Sequence, residues 1–400
     1  MDIVKRFINY AKIDTQSDPN SDTIPSTSKQ KDLSRLLVEE LKEMKLDAFM
    51  DKYGYVYAKI PANTKGKRPV GFIAHVDTSY DAPGNNVKPR IIKNYQGEEI
   101  VLNEQYKMSP DKFDCLNDVV GDDIIVTDGN TLLGADDKAG VAIIMDLAQK
   151  LTKDNSILHG DVYIGFTPDE EIGRGPHKFD LDYFKPDFAY TIDGGKVGGL
   201  NYENFNASSA DIKFIGKSIH PGTAKNKMIN AIHLAMEFHS MLPTFKNPAY
   251  TEKREGFNHL SSIKGSVEEA TVHYIIRNHD YNEFKQQEKE FETIKNYLNN
   301  KYGYEAVHLT IKESYLNMYE VLKKDMTPVK IAEEATKKAN VTPFASPMRG
   351  GTDGAQLTYM GLPCPNLGTG GYNYHGRYEF LSINQMKKVV EILLEIIKLL

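Results

Sequence analysis

Cysteine is nearly absent from this chain. Cys115 and Cys364 are too few for a disulfide framework, and neither has a second cysteine nearby to complete a thiolate metal site, so both are expected to be reduced and structural. An excess of basic charge is missing too. Forty-nine Lys and Arg against 55 Asp and Glu leave a formal net charge of -6, with no electrostatic footprint for nucleic acid. There is also no long apolar run. The most apolar stretch, 389–400, is interrupted by Glu391, Glu395 and Lys398, whereas a membrane span needs about 20 consecutive apolar residues. Residues 1–18 carry Asp2, Lys5 and Arg6 early and read as an amphipathic helix, not a secretion signal. Together these absences point away from a disulfide scaffold, a nucleic-acid binder and a membrane protein. They leave a cytoplasmic protein as the expectation. Internal repeats and low-complexity segments are missing as well, and only 17–28 reads as a loop.

The composition present, 40% hydrophobic and 26% charged, is that of an ordinary globular chain. Four hundred residues exceed what one hydrophobic core usually fills, so two domains are expected. Leu33, Leu36, Leu37 and Leu41 recur at helical spacing within 27–44. Short apolar runs at 70–74, 162–166 and 188–192 read as buried strands, with a helix that is apolar almost all round at 139–151. Such alternation predicts an α/β catalytic domain with a mostly parallel sheet and helices on both faces. The middle third reads differently: strand 207–220, helix 227–242, strands 260–265 and 270–277, charged helix 282–301 and strand 306–312. That β-α-β-β-α-β order predicts a ferredoxin-like α+β domain. The α/β pattern then resumes with helices at 325–339 and 383–400, the latter capped by Ser382. The expected organisation is a catalytic domain in two parts, 1–205 and 317–400, with 206–316 inserted as a smaller domain.

Five features sit at strand ends or in glycine-rich turns, where open α/β sheets build their sites. In His75-Val76-Asp77, residues i and i+2 of an extended segment face the same way, so Asp77 can hold the His75 imidazole as a metal-binding histidine requires. With 11 histidines and 55 acids in 400 residues, one or two such pairs arise by chance, and the pair alone carries little. Asp136-Asp137 leads straight into the apolar helix; capping accounts for one aspartate but not for two. Asp169-Glu170-Glu171 follows a deeply apolar strand, where one carboxylate can bind metal while its neighbour handles a proton. Asp193 in Asp-Gly-Gly and His375 in a glycine-rich turn are unremarkable singly. Jointly, two histidines and three carboxylates from such loops make a donor set suited to zinc. One carboxylate between two half-sites can bridge two ions about 3.5–4 Å apart.

The segments AHVDTS (74–79), LGADDKAG (133–140), TPDEEIG (167–173), TIDGG (191–195), RGGTDGAQL (349–357) and the His375 turn occur in order across nearly the whole chain. In this set the chain resembles the two-zinc metallopeptidases related to aminoacylases and carboxypeptidases, which carry an inserted lid domain. RGGTDGAQL above all is similar to members that take the N-terminal residue from short peptides, chiefly tripeptides. The resemblance implies two zinc ions per chain. His75 and Asp193 would hold one and Glu171 and His375 the other, with Asp136 bridging, Asp77 orienting His75 and Glu170 as general base. It implies a cis peptide between Asp136 and Asp137. It also implies that His220, at the end of a lid strand, stabilises an oxyanion, and that Arg277 and Arg349 are candidates for a substrate carboxylate; a lid salt bridge and a loop anchor are the alternatives for these two arginines. The expected partner is a short peptide, with no nucleic acid and no membrane, on a monomer or homodimer. Two other readings share these motifs: the same chemistry on dipeptides, acyl-amino acids or C-terminal residues, and a non-catalytic peptide-binding protein.

Overall fold

The computed structural model describes all 400 residues, which divide into two compact units. The first comprises Met1–Tyr202, Glu320–Ser346 and Thr352–Leu400; the second comprises Glu203–Tyr319 and Pro347–Gly351.

An eight-stranded sheet organises the first unit. Its spatial order is Asp47–Met50, Val56–Ile60, Val162–Thr167, Val70–His75, Phe188–Gly194, Asn366–Gly368, Gly199–Asn201 and Phe344–Ala345. The strands on either side of the middle four pair antiparallel with them. The middle four, from Val162–Thr167 to Asn366–Gly368, run parallel to one another. They are the apolar runs expected of strands covered on both sides. Alternation along each strand sorts side chains to the two faces. Val70, Phe72, Ala74, Phe188, Tyr190 and Ile192 join one core with helices Ile3–Ala11, Gln30–Glu43, Ala135–Lys153, Thr327–Lys338 and Ile383–Leu399. Ile73 and Ala189 face the other way, against Tyr55, Tyr57, Phe179, Phe184 and the short helix Asp353–Tyr359 through Leu357. Ser382 caps the last helix as its sequence suggests, its hydroxyl accepting the Gln385 N–H at 3.1 Å. No helix is long and apolar enough to cross a membrane.

A second, four-stranded antiparallel sheet lies in the same unit: Gly371–Tyr372, Phe380–Ser382, Ile124–Val126 and Arg90–Ile92. Its strands are three residues or fewer, too short for alternation to reveal. It rests on its own core of Tyr95, Met108, Leu116, Val119, Tyr372 and Phe380, among others.

The second unit is the β-α-β-β-α-β domain. Strands Phe257–Gly265, Glu269–Asn278, Asn206–Ile215 and Val307–Tyr315 pair antiparallel in that spatial order. Ile212, Phe214, Val272, Tyr274 and Ile276 pack with Phe238 of helix Ala231–Met241 and Phe284 and Phe291 of helix Tyr281–Tyr302. The first strand is shorter than expected, ending at Ile215 and not at His220. A Cβ at Gly216 would sit 2.1 Å from the Val267 carbonyl oxygen, so the chain there is pressed against another loop and leaves the sheet. The following helix begins at Ala231 and not at 227, capped by the Asn230 side chain on the Ile232 N–H.

One close approach sets how the buried helix Ala135–Lys153 meets the sheet. A Cβ at Gly140 would stand 1.9 Å from the Ile192 carbonyl oxygen. Overpacking of this kind costs about 1–3 kcal/mol, and a domain of this size loses about 2–4 °C of melting temperature per kcal/mol. Gly140→Ala should therefore melt about 2–12 °C below the parent in a thermal scan. An unchanged melt would mean that the helix backs away from the strand freely.

Candidate metal centre

Three parallel strands end side by side, and each delivers part of one cluster. His75 ends Val70–His75 and pairs in register with Thr167, the last residue of Val162–Thr167; Asp193 lies near the end of Phe188–Gly194. Glu170 and Glu171 occupy the turn just beyond Thr167. Asp136 comes from the turn that opens helix Ala135–Lys153, and His375 from the loop of the hairpin Gly371–Ser382.

The distances define two halves. His75 Nε2 lies 2.9 Å from Asp136 Oδ1 and 3.5 Å from Asp193 Oδ1. His375 Nε2 lies 3.3 Å from Asp136 Oδ2 and 3.0 Å from Glu171 Oε2. The two oxygens of Asp136 thus face different histidines. At His75 the other ring nitrogen, Nδ1, is 3.1 Å from the Asp77 carbonyl and 3.3 Å from Asp77 Oδ1. Both are acceptors, so Nδ1 donates a proton to them, and Nε2 is the ring nitrogen left facing the carboxylates, where a cation would bind it.

Asp136 and Asp137 are joined by a cis peptide bond and have non-helical backbone angles. Their roles separate cleanly. Asp137 Oδ1 accepts the Gly140 N–H at 3.1 Å, a cap at the true start of the helix, and its Oδ2 accepts the His75 N–H at 3.2 Å. Asp137 also brings an oxygen near His75 and Asp193, but both of its oxygens are engaged by the backbone. Asp136 is the freer ligand.

Several contributors were invisible to sequence reading. Glu379 is buried and accepts the backbone N–H groups of Leu133, Gly134 and Asp136 at 2.7, 2.8 and 3.0 Å. It holds the turn that presents Asp136 from 243 positions away, and nothing local distinguishes it from any other acid. Asp353, within RGGTDGAQL, is buried and accepts the Thr167 hydroxyl at 2.6 Å, while its Oδ1 has no partner. Burial pushes its carboxyl up to about 7. Lys138 is buried with Nζ 2.7 Å from the Ile13 carbonyl, and burial pulls it down to about 8.

Of the residues expected to meet substrate, all three lie in the second unit. His220 is exposed in a turn, with Nδ1 accepting the Gly222 N–H at 3.1 Å. Arg277 donates from Nη1 to the carbonyls of Ser208 and Ile276 and lies over the Tyr315 ring. Arg349 donates to the carbonyls of Thr251, Lys253 and Glu255 and to the Thr251 hydroxyl, beside the Phe205 and Phe257 rings. Its geometry is that of a loop anchor.

Three observations indicate that the cluster fits divalent cations. The sets His75, Asp136, Glu171 and His75, Asp137, Asp193 each bring their ligand atoms within 4.8 Å of one another. Glu171 Oε1 is buried without a hydrogen-bond partner. The donors, imidazole nitrogen and carboxylate oxygen with no thiolate, suit zinc and similar ions.

Comparison with known proteins agrees. Peptidase T of Geobacillus sp. (strain WCH70) is 51% identical over 402 aligned residues, covering 100% of this chain and 98% of that one. The chain belongs to the peptidase T family. It is therefore a hydrolase, a metallo-aminopeptidase. Residues 202–305 match a family model described as a peptidase dimerisation domain, and 122–219 match one described as M42 glutamyl aminopeptidase. The crystal structure of the aminopeptidase PepT from Bacillus cereus superposes with a TM-score of 0.80 at 21% identity over 99% of this chain and 97% of that one. That of a tripeptidase from Staphylococcus aureus gives 0.79 at 23% over the same shares. At these identities the superpositions establish the shared fold.

The cluster's charges predict how metal affinity depends on pH. Contacts with Asp136 and Glu171 push His375 up to about 11. Burial, then Asp136, push Glu171 up to about 8. Against ordinary values of 6.5 and 4.5, the folded chain holds protons that the unfolded chain has already shed. Their stabilising effect is complete below the ordinary values and is lost as pH rises towards the folded ones. Chelator-treated protein should therefore melt at a lower temperature at pH 8 than at pH 5.5, while divalent-metal affinity rises over that window and protons are released on binding. Melts at the two pH values, and calorimetry in buffers of differing ionisation enthalpy, measure both. A pH-independent melt with no proton release would contradict the assignment.

Proposed function

We propose that the chain removes the N-terminal residue from short peptides, tripeptides above all, with two zinc ions held by its own side chains. The observation that carries this reading is the two-sided placement of Asp136 between His75 and His375. In this reading Asp136 would bridge, His75 and Asp193 would complete one site, and His375 and Glu171 would complete the other. When bound, the ions supply Lewis acidity that activates a water and polarises the scissile carbonyl.

The remaining work falls to the chain itself. Asp77 keeps the His75 Nδ1–H in place, which turns Nε2 towards the cluster. The same carboxylate accepts the backbone N–H groups of Glu170 at 3.0 Å and Glu171 at 3.2 Å, so one side chain orients two groups. Glu170 is adjacent to a ligand and has its own carboxyl free for proton traffic. Burial, then Asp193, push that carboxyl well above the ordinary glutamate range. A group so placed can take a proton from the attacking water and return it to the nitrogen of the leaving amine. His220 uses Nδ1 to accept from Gly222, which leaves Nε2–H as a donor for the substrate's developing oxyanion. Arg277 remains the candidate for the substrate carboxylate, since the Arg349 guanidinium is occupied by loop carbonyls. The match to the dimerisation-domain model supports a homodimer, which light scattering would report as twice the chain mass.

Zinc-loaded protein incubated with di-, tri- and tetrapeptides should release the N-terminal residue, fastest from tripeptides, as read by mass spectrometry. Release of the C-terminal residue, or no hydrolysis, would sink the reading. Glu170→Gln should keep its zinc and bind peptide while turnover falls about 10²–10⁴-fold, the usual range for a lost general base. Asp136→Ala should lose both ions by elemental analysis and Asp193→Ala chiefly one; two tightly held zincs in Asp136→Ala would remove the bridging role. His220→Ala should lose about 10²–10³ in kcat with little change in KM.

A further inference from the structure

Three acids stand in a row at 169–171, and the proposed chemistry uses only the last two. Asp169 is fully buried and has a φ of 61°, in the left-handed region that few non-glycine residues occupy. Its carboxylate is taken up by one short segment far away in sequence. Oδ2 accepts the Ser26 backbone N–H at 2.7 Å, and Oδ1 accepts both the Ser26 hydroxyl and Gln30 Nε2, the latter at 2.7 Å. Gln30 closes the loop: its Oε1 accepts the Asp169 backbone N–H at 3.1 Å, and its Nε2 also reaches Ser26 Oγ at 3.1 Å. Gln30 is itself fully buried. Asp169 is thus gripped through main chain and side chain at once.

Beyond Asp169 the turn is held from the other side. The N–H groups of Glu170 and Glu171 go to Asp77, and the Arg174 N–H returns to the Asp169 carbonyl at 2.9 Å. Asp193 lies close enough to Glu170, and Asp136 to Glu171, for like charges to press on the turn, with His375 at 3.0 Å from Glu171 as the counterweight. Buried hydrogen bonds to a carboxylate are about twice as strong as neutral ones, which suits them to resist such pressure.

We propose that Asp169, clamped by Ser26 and Gln30, is a positioning residue that fixes the turn bearing Glu170 and Glu171. Asp169 does not touch substrate; it acts through its neighbours. The kinetic part of this proposal rests on Glu170 as the proton acceptor, whereas the clamp itself does not. Displacing a catalytic group by about 1 Å can slow an enzyme about 10²-fold, so weakening the clamp should act on turnover.

The variants for the test lie on the remote segment, away from ions and substrate: Ser26→Ala, Gln30→Met and, as a conservative control that keeps the hydroxyl, Ser26→Thr. Each is first shown to be folded by its thermal melt. In zinc-loaded Ser26→Ala and Gln30→Met, backbone hydrogen exchange of the peptide covering 167–176 should quicken about tenfold. Their kcat should fall about 10–10²-fold with KM within about twofold, and Ser26→Thr should restore both. Exchange unchanged in the folded variants overturns the proposal. So does faster exchange with unchanged kcat where Glu170→Gln is inactive. Should Glu170→Gln itself prove active, the reading of Glu170 fails, while the exchange measurement still decides whether the clamp holds the turn.

Discussion

The site is built against a single constraint: many carboxylates must share one small buried volume without driving it apart. The chain meets it by fastening several acids that are not candidate ligands to backbone N–H groups, most of them on other segments. Asp77 takes those of Glu170 and Glu171, and Asp137 those of His75 and Gly140. Glu379 takes three around Gly134, and Asp169 that of Ser26. Each such bond satisfies a donor that would otherwise be costly to bury, and those of Asp169 to Ser26 and Asp137 to His75 join segments that no strand pairing connects. Asp136, Glu171 and Asp193 are left with oxygens turned towards the histidines. The negative charge therefore does two jobs, part of it holding the frame and part facing cations.

That division explains why the ligand candidates were legible in the sequence while most of their supports, Asp77 excepted, were not. His75, Glu171 and Asp193 lie at or just beyond the carboxyl ends of apolar runs long enough to be recognised as strands, so their placement could be read locally. Asp136 stood out because capping needs one aspartate, and Asp137 indeed supplies the cap. Glu379 and Asp169 act on partners more than a hundred positions away, and their roles depend on which loops meet, which periodicity does not encode. The small sheet that carries His375 escaped notice for a related reason: strands of two or three residues have no alternation to detect.

In the second unit the order of elements was plain because every strand runs nine or ten residues with one face packed on helices. Its edges were less so. The first strand is expected to continue to His220, yet it stops where Gly216 meets the Val267 carbonyl. Crowding from a loop some fifty residues on cannot be inferred from local hydropathy. For Arg349 the sequence leaves a substrate carboxylate and a loop anchor both open, and its guanidinium donates to three carbonyls of one neighbouring loop.

The hairpin Gly371–Ser382 carries both His375, which faces Asp136, and Glu379, which holds the Asp136 turn from behind. A candidate ligand and an anchor for a second one are thus four residues apart on one loop of fixed length. Drift in that loop would shift both together, so the hairpin should resist insertion or deletion far more than a loop usually does. Among homologues, length variation should be rare here even where side chains diverge, and a designer grafting new specificity onto this scaffold would do better to leave this hairpin whole.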